Sequence, residues 1–342
     1  MRALQGVGGA ILSPATLTII VTTFHGKRLP RALGLWSAVA GAGGAVGGLL
    51  GGLLTGWVSW RGVFFINVPF GLLAGVLARG YLREMRNRDA AVKLDVTGAL
   101  LVTGSLAALI YGVVTTTTTG WTATSTLLWF LGAAIGLAVF FIWETQVASH
   151  PLVPLRMFHV RSLSTANLVM LLIGGAFFSM WYFLSFYYQY ILGYDAVKTG
   201  FAFLPMAIAI IVGAQTSSGL LPKLHVRPLL LIGTSLATLG FIWLSRIGVH
   251  SSYAVDVLAP SAACALAVGV LFTPLASVAT TGVDRADAGL ASGVLNTSRQ
   301  LGGSLGLAVL GTLAGEVSTF RAAPQPGRPL GGLRARSRFR PG

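Results

Sequence analysis

Charged residues are scarce in this sequence, and acidic residues are the scarcest of them. Only 10% of the 342 residues are charged, and 9 of them are Asp or Glu, whereas soluble domains carry about 25% charged residues. A chain with 54% hydrophobic residues has too little polar surface to cover a water-soluble fold, so we expect an integral membrane protein. The net charge of +15 does not indicate nucleic-acid binding, because the basic residues stand in short clusters between long apolar runs.

Residues that would carry enzymatic or metal chemistry are also few. The single cysteine, Cys264, excludes a disulfide framework and a cysteine-built metal site within this sequence. The five histidines lie in predicted connectors without the spacing of metal ligands. No P-loop pattern is present, and the glycine-rich stretches lie inside apolar runs rather than after a strand. The sequence therefore predicts no enzyme, no resident cofactor and no direct use of ATP.

Long apolar runs dominate the rest of the chain. A helix needs about 20 apolar residues to cross a bilayer. Backbone groups in lipid must be hydrogen-bonded internally, and the alternation typical of barrel strands is absent, so these runs favour helices. We predict an all-α polytopic membrane protein with about ten transmembrane helices, at residues 3–24, 33–56, 62–82, 96–115, 127–146, 163–191, 199–221, 227–246, 253–281 and 289–315.

Lysine and arginine residues fall mainly in alternate connectors and therefore set an orientation. The less basic connectors hold only Arg61, Lys198 and Arg246. By the positive-inside rule the other set is cytoplasmic, and the first helix runs inward. In this orientation the first helix begins on the outer side of the membrane. Residues 316–342 form an Arg/Pro/Gly-rich tail, which we expect to be disordered. From these two features we predict a chain truncated at both ends. The cytoplasmic set comprises Lys27, Arg28, Arg31, Arg79, Arg83, Arg86, Arg88, Lys93, Arg156, Arg161, Lys223, Arg227 and Arg285.

Glycine is concentrated in residues 41–56, which read GAGGAVGGLLGGLLTG. Two neighbouring ridges of this helix carry no side chains, and such ridges let another helix approach closely. One ridge contains Gly44, Gly48, Gly52 and Gly56, and the other contains Gly43, Gly47 and Gly51. The glycine spacing of this helix also recurs 255 residues later, as parallel repeats of transporter halves would produce. The recurring pairs are Gly34 and Gly289, Gly47 and Gly302, Gly48 and Gly303, Gly51 and Gly306, and Gly56 and Gly311.

Several motifs resemble those of one known family and follow the same order. RALQGVGGAILSP (2–14) and GLWSAVAGAGGAVGGLLGG (34–52) resemble the fourth and fifth helices of the fourteen-helix drug–proton antiporters of the major facilitator superfamily. Helices one to three and helix fourteen of that family have no counterpart, and Gly48 replaces the usual proline of the glycine motif. Later landmarks are WRGVFFINVPFG (60–71), HPLVPLRMF (150–158), YYQYILGYDAVKTGFAFLP (187–205) and GLASGVLNTSRQLGGSLG (289–306), so the resemblance covers about residues 2–315.

The resemblance implies a multidrug-type efflux transporter in a bacterial plasma membrane. Its partners would be the lipid bilayer and a small lipophilic substrate, which it would exchange for protons by alternating access, driven by the proton gradient. The implied regions are 1–83 (end of the N-terminal bundle), 84–162 (two central extra helices with flanking loops), 163–315 (C-terminal bundle) and 316–342 (tail). The implied transport motif comprises Arg2, Gln5, Gly6, Gly34, Gly41, Gly47, Gly48, Gly51 and Gly52.

Polar residues within the predicted helices are candidates for a functional role. Asn296, Arg299 and Gln300 can share one helical face, where they would line the substrate path or anchor two helices through hydrogen bonds. Arg2 is either the basic residue of the implied motif or a terminal residue that reaches the headgroups. The end of the sixth helix holds Tyr182, Tyr187, Tyr188, Gln189 and Tyr190. We predict an interfacial belt of aromatic residues there, with binding of lipophilic cations on the aromatic faces as the alternative.

Three prolines are candidate kinks, because proline frees a backbone carbonyl of its helix. Pro205 and Pro274 lie deep in their segments and are the better candidates. Pro69 follows Asn67 in FFINVPFG, where the sequence favours a helix start over a hinge.

The position of the acidic residues bears on proton coupling. All nine fall at predicted helix ends or in connectors: Glu84, Asp89, Asp95, Glu144, Asp195, Asp256, Asp284, Asp287 and Glu316. A proton-coupled exporter normally holds a carboxylate near the membrane midplane, and the resembling family has one on its first helix. Two alternatives therefore stay open, a non-transporting helical protein or inactive fragment and a membrane enzyme. The ordered motifs count against the first, and the lack of a buried acid–base cluster counts against the second.

Overall fold

A computed structural model describes residues 2–24, 26, 28–57, 59, 61–81, 95–149, 151–152, 154–248, 251–280, 283 and 287–322. Within these ranges helices lie at all ten predicted positions, and strands are absent. Seven of the described helical segments are long and apolar enough to cross a membrane. The prediction of an all-α polytopic membrane protein is confirmed. The α-helices are α1 (Arg2–Thr23), α2 (Arg28–Trp57), α3 (Gly62–Phe65), α4 (Asn67–Tyr81), α5 (Val96–Thr119), α6 (Thr124–Ile142), α7 (Arg161–Phe186), α8 (Ala196–Leu224), α9 (Val226–Leu244), α10 (Ala259–Thr280) and α11 (Ala288–Ala322).

The segment predicted as one helix at 62–82 is divided at Ile66 into α3 and α4. The Asn67 side-chain amide donates hydrogen bonds to the carbonyl oxygens of Val63 and Phe64, at 3.2 and 3.3 Å. Pro69 is the third residue of α4, where a missing N–H costs little because the first turn of a helix has no intrahelical acceptor for it. The structure thus places Pro69 at a helix start, as the sequence favoured.

Three of the spans include a π-helical turn at one end. Trp143–Val147 extends α6, Tyr187–Ile191 extends α7, and Tyr253–Leu258 leads into α10. A shorter 3-10 turn, Leu155–His159, precedes α7. These turns lengthen the helical segments beyond their α-helical parts, so the span that contains α7 runs from Arg161 to Ile191.

Two separate clusters of buried apolar residues, the apolar cores, lie between the described helices. The first contains Leu17, Leu33, Leu163 and Leu275, which come from α1, α2, α7 and α10. The second surrounds Tyr188, with Phe203 of α8 and the π-helical Tyr253 beside it. Large apolar side chains outside these cores are exposed along the helices, as expected for surfaces that face lipid.

The predicted tyrosine belt requires one correction. Tyr182 and Tyr190 are exposed, but Tyr188 is fully buried. The ring centroid of Tyr188 lies 5.2 Å from that of Phe203 and 5.8 Å from that of Tyr253, distances typical of favourable aromatic pairs. The physical reason is helical phase, because Tyr188 lies on the side of its helix that faces α8 and α10. Tyr188 is therefore a core residue rather than an interfacial anchor.

Helices α8 and α10 cross at glycines, so that their backbones touch. A methyl group on Gly213 would overlap the carbonyl oxygen of Leu266, and one on Gly269 would overlap the carbonyl oxygen of Ile210. Small residues at a crossing allow this approach, and van der Waals packing then holds helices together in lipid, where the hydrophobic effect does not.

Candidate functional site

Residues of five helices line a cavity of about 140 Å³. Helices α1 and α2 form one wall, and α7, α10 and α11 form the other. Each helix contributes the part near its predicted cytoplasmic end. The lining residues are Leu17, Trp36, Ser37, Met170, Phe272, Ala276, Leu295, Asn296 and Arg299.

Arg299 is the only charged residue among the described residues that line this cavity. It lies 11 residues after the start of α11, about 16 Å along the helix axis, within the segment predicted from the sequence to cross the membrane at 289–315. The guanidinium Nη2 donates a hydrogen bond of 3.0 Å to the Asn296 side-chain oxygen, one turn earlier in the same helix. A charge at this depth is costly unless something pairs with it.

Described carboxylates do not neutralise Arg299. Asp287, the acidic residue at the start of the same helix, forms an ion pair with Arg156 in the 3-10 turn before α7 instead. The distance between Arg156 Nη2 and Asp287 Oδ2 is 3.6 Å. Asp287 directly precedes α11, a full 12 residues before Arg299. The cavity therefore has a positive charge whose described hydrogen-bond partner is a neutral amide.

The Ser37 hydroxyl is a second polar group in the cavity wall. Ser37 is fully buried in α2, and its Oγ has no hydrogen-bond partner within the described part of the chain. Leaving a buried hydroxyl unpaired costs about 1–3 kcal/mol, which a polar group inside the cavity would recover. Most of the remaining lining is apolar, with Leu17, Trp36 and Phe272 as large members.

A wider groove of about 500 Å³ runs along α1 and α2 beside the cavity. Ile20, Phe24 and Leu35 make it apolar, while Arg28 and Arg31 lie at its predicted cytoplasmic end. Trp36 lines both the groove and the cavity. The groove and the cavity therefore share this side chain in their walls.

The three polar residues predicted on α11 are only partly brought together. Asn296 and Arg299 both line the cavity, as expected for residues three apart on a helix. Gln300 is exposed, does not line the cavity, and accepts a backbone hydrogen bond from the Ser304 hydroxyl.

The glycines of the implied transport motif divide into two groups. A methyl group on Gly34 would overlap the Ser218 side chain, and one on Gly52 would overlap the Ala196 carbonyl, so both glycines touch α8. A methyl group on Gly6, Gly47, Gly48 or Gly51 would meet no described atom within 4 Å. The side chains of Arg2 and Gln5 and the surroundings of Gly41 lie outside the described residues.

Gly302, Gly303 and Gly306 of α11 are more closely packed than their α2 counterparts, whereas Gly34 and Gly56 of α2 are more closely packed than Gly289 and Gly311. A methyl group on Gly302 would overlap the Leu171 carbonyl, and one on Gly306 would overlap the Gly175 backbone of α7. Gly47 and Gly51, at the equivalent places in α2, meet no described neighbour. The sequence repeat is therefore not matched by equal packing of the two helices.

Pro274 frees a carbonyl that a neighbouring helix then satisfies. Proline cannot donate to the residue four positions earlier, which here is Val270. The buried Ser217 hydroxyl of α8 donates to the Val270 carbonyl oxygen at 2.8 Å. Pro205 also lies inside a helix, α8, and the Tyr253 hydroxyl donates to the nearby Ala202 carbonyl at 3.0 Å.

Glu144 is a buried carboxylate whose burial the sequence did not predict. It follows Trp143 at the end of α6 and accepts a hydrogen bond of 3.1 Å from the Leu152 backbone. The Trp143 indole donates to Asp95, at 3.0 Å from its Oδ2, and Asp95 caps α5 by accepting from the Gly98 N–H. This polar cluster joins α5, α6 and the following loop, and the only sequence signal was an acidic residue beside a tryptophan at a helix end.

Residues 1–307 of the sequence match the model of the major facilitator superfamily. The chain belongs to this superfamily. Superfamily members are transporters that act on small molecules in a membrane, and the described helices fit a multi-pass protein of a bacterial membrane.

This chain is similar to several curated members of the superfamily that are named for antibiotic export or resistance. It is 39% identical to the cephamycin export protein CmcT of Amycolatopsis lactamdurans, over 92% of this chain and 65% of the relative. It is 36% identical to a puromycin resistance protein of Streptomyces alboniger, over 92% and 62%. It is 33% identical to the tetracenomycin C resistance and export protein of Streptomyces glaucescens, over 91% and 58%. The chain thus spans less than two thirds of the length of these relatives.

Proposed function

We propose that this chain serves in drug-type efflux, as a transporter that carries small lipophilic molecules across the membrane by alternating access. The observation that supports the proposal most directly is the cavity between α1–α2 and α7–α10–α11, which combines mostly apolar walls with three polar residues, Ser37, Asn296 and Arg299. Ligand sites are usually concave and mostly apolar, with few polar groups that fix orientation. The similarity to export and resistance proteins points the same way.

Alternating access requires that the two cavity walls separate on one side at a time. The Arg156–Asp287 ion pair joins the turn before α7 to the start of α11, two helices of the same wall, so it would hold that wall together while the walls separate. The backbone contact of α2 with α8 at Gly52 lies towards the predicted opposite end and would serve as the point about which the walls rock.

Proton antiport and membership of the fourteen-helix group are the finer parts of this proposal. Both rest on the motif resemblance, and described carboxylates do not line the cavity. The regions proposed are the end of an N-terminal bundle at 1–83, two central extra helices at 84–162 and a C-terminal bundle at 163–315. The hairpin of α5 and α6 fits the central pair, because α6 packs mainly on α5.

Dye efflux tests the proposed function. Cells that lack their own efflux pumps would express the chain, be loaded with the neutral dye Nile red, and be followed by fluorescence with and without a protonophore. We expect faster dye loss than in vector controls, and the protonophore should abolish the difference. Efflux at the same rate with and without the protonophore would reject proton coupling. Dye loss equal to that of the vector control, at verified membrane expression, would reject export and favour a non-transporting protein.

A further inference from the structure

We propose that the cavity binds the anionic group of an amphiphilic small molecule, such as an aromatic carboxylate, with Arg299 as its charge partner. This inference rests on the proposed export function, for which it names the class of substrate. Arg299 has five N–H donors in a planar fork that suits a carboxylate. The described hydrogen bond of this fork goes to the neutral Asn296 side chain, so donors remain for a ligand.

The charges around the cavity favour an anion over a cation. Described carboxylates are absent from the lining. Asp287 is engaged with Arg156, Asp95 and Glu144 belong to the cluster at the α5–α6 ends, and Asp195 caps α8 at the predicted outer side. A lipophilic cation in this space would meet the Arg299 charge with nothing to offset it, and repulsion at low dielectric is strong.

Ser37 gives a second and independent indication of a polar ligand group. Its hydroxyl is fully buried on the wall opposite α11 and lacks a partner among the described residues. A hydroxyl donates one hydrogen bond, which a carboxylate oxygen held by Arg299 could accept. The two groups come from α2 and α11, so a ligand held by both would bridge the two walls of the cavity.

The size of the cavity limits what it can enclose in this conformation. Its volume of about 140 Å³ is close to that of an engineered cavity of about 150 Å³ that holds benzene. A single aromatic ring is therefore of the right size, and the Trp36 and Phe272 side chains supply aromatic walls. A larger compound would place only its acidic end here.

The groove beside the cavity offers such a molecule a path. Arg28 and Arg31 lie in the groove, and Trp36 lines both the groove and the cavity. Positive charge in an apolar groove raises the local concentration of an amphiphilic anion and speeds its association. Positive charge thus occurs both in the groove, at Arg28 and Arg31, and in the cavity, at Arg299.

Binding of three matched probes tests the inference. The chain would be placed in nanodiscs of neutral phosphatidylcholine, and 4-fluorobenzoate, 4-fluorobenzamide and 4-fluorobenzylammonium would be titrated and followed by fluorine NMR line broadening. The three probes share one ring and differ in charge. We expect the benzoate to bind about tenfold or more tightly than the amide, the gain typical of a charge-assisted hydrogen bond, and the ammonium to bind least.

Variants separate a ligand contact from a structural role of Arg299. Arg299→Gln should weaken the benzoate by about tenfold or more and leave the benzamide unchanged, while Arg299→Lys should recover part of the loss. Arg246→Gln removes the same charge at an exposed site and should change nothing. Ser37→Ala should weaken the benzoate with little effect on folding, which keeps the inference testable if Arg299→Gln aggregates.

Several results would overturn the inference. Equal wild-type affinity for benzoate and benzamide, or binding of none of the probes, would contradict an anion site. An equal loss of both probes in Arg299→Gln would make Arg299 structural. Displacement of the benzoate by phosphatidylglycerol added to the nanodiscs would assign the site to a lipid headgroup. Export of Nile red is scored separately, so a chain that exports the dye without preferring benzoate keeps the proposed function and loses this inference.

Discussion

The Ser217 side chain of α8 supplies the hydrogen bond that Pro274 cannot donate within α10. The proline leaves the Val270 carbonyl of α10 without its intrahelical donor, and the Ser217 hydroxyl of α8 supplies a hydrogen bond at 2.8 Å. In lipid no water is present to solvate that carbonyl. Ser217 therefore stabilises α10 and also fixes the register of α8 against it.

Ser217→Ala should lower the thermal midpoint of the purified chain in detergent. Loss of one hydrogen bond to a buried acceptor costs about 1 kcal/mol or more. The control is Ser217→Ala in a Pro274→Ala background, where the backbone N–H of the introduced alanine can donate to Val270 and the serine matters less. Equal shifts in both backgrounds would show that the Ser217 effect is unrelated to the proline.

The polar residues of the candidate site were predictable only where they share one helix. Asn296 and Arg299 are three residues apart, and this spacing alone predicts a common face. Ser37 and Trp36 carried no such signal, because each is an ordinary member of an apolar helix until α11 and α10 pack opposite it. Tyr188 was misjudged for the same reason, since an aromatic residue near a helix end can face either lipid or the core.

Helix α2 contacts α8 at Gly34 and, near its other end, at Gly52 and Gly56 of one glycine ridge, whereas a methyl group on Gly48 of the same ridge would meet no described atom within 4 Å. Gly34 and Gly52 are 18 residues apart, which is about five helical turns, so they lie on one side, and both touch α8. The ridge with Gly47 and Gly51 has no described neighbour within reach of a methyl group. The sequence could predict the bare ridges but not which of them faces α8.

Adjacent glycines of α2 should therefore respond differently to the same substitution. Gly52→Ala places a methyl group against the Ala196 carbonyl and should destabilise the chain by about 1–3 kcal/mol, the usual cost of overpacking. Gly51→Ala, its matched control, should be neutral or slightly stabilising because alanine favours helix. Thermal midpoints in detergent and dye efflux would both be measured. Equal effects of the two variants would contradict the ridge assignment.

Helix positions were readable from the sequence because each span is an apolar run of sufficient length. Local breaks were less visible. The division at Ile66 depends on Asn67 bonding to the preceding turn, and the π-helical turns at three helix ends have no sequence pattern that distinguishes them from α-helix. Length and hydropathy fix where a helix crosses, while side-chain hydrogen bonds and packing decide how it begins and ends.

At the scale of the whole molecule, the single cysteine reports on how tightly α9 and α10 pack. Cys264 is fully buried, and a methyl group on Gly240 of α9 would contact its sulfur. A maleimide should therefore leave the chain unlabelled in native membranes and label it after denaturation in detergent and heat. Ser245→Cys in a Cys264→Ala background, with the thiol exposed at the end of α9, should be labelled at once. Rapid labelling of native Cys264 would contradict this packing.

The described chain also contains a part that depends little on the rest. Helices α5 and α6 pack mainly on each other, and α5 reaches α11 at a buried pair of hydroxyls, Thr116 and Thr312, 3.0 Å apart. The cavity and both apolar cores are built without this hairpin. We therefore expect that loss of this pair of helices would leave the two apolar cores and the cavity lining in place.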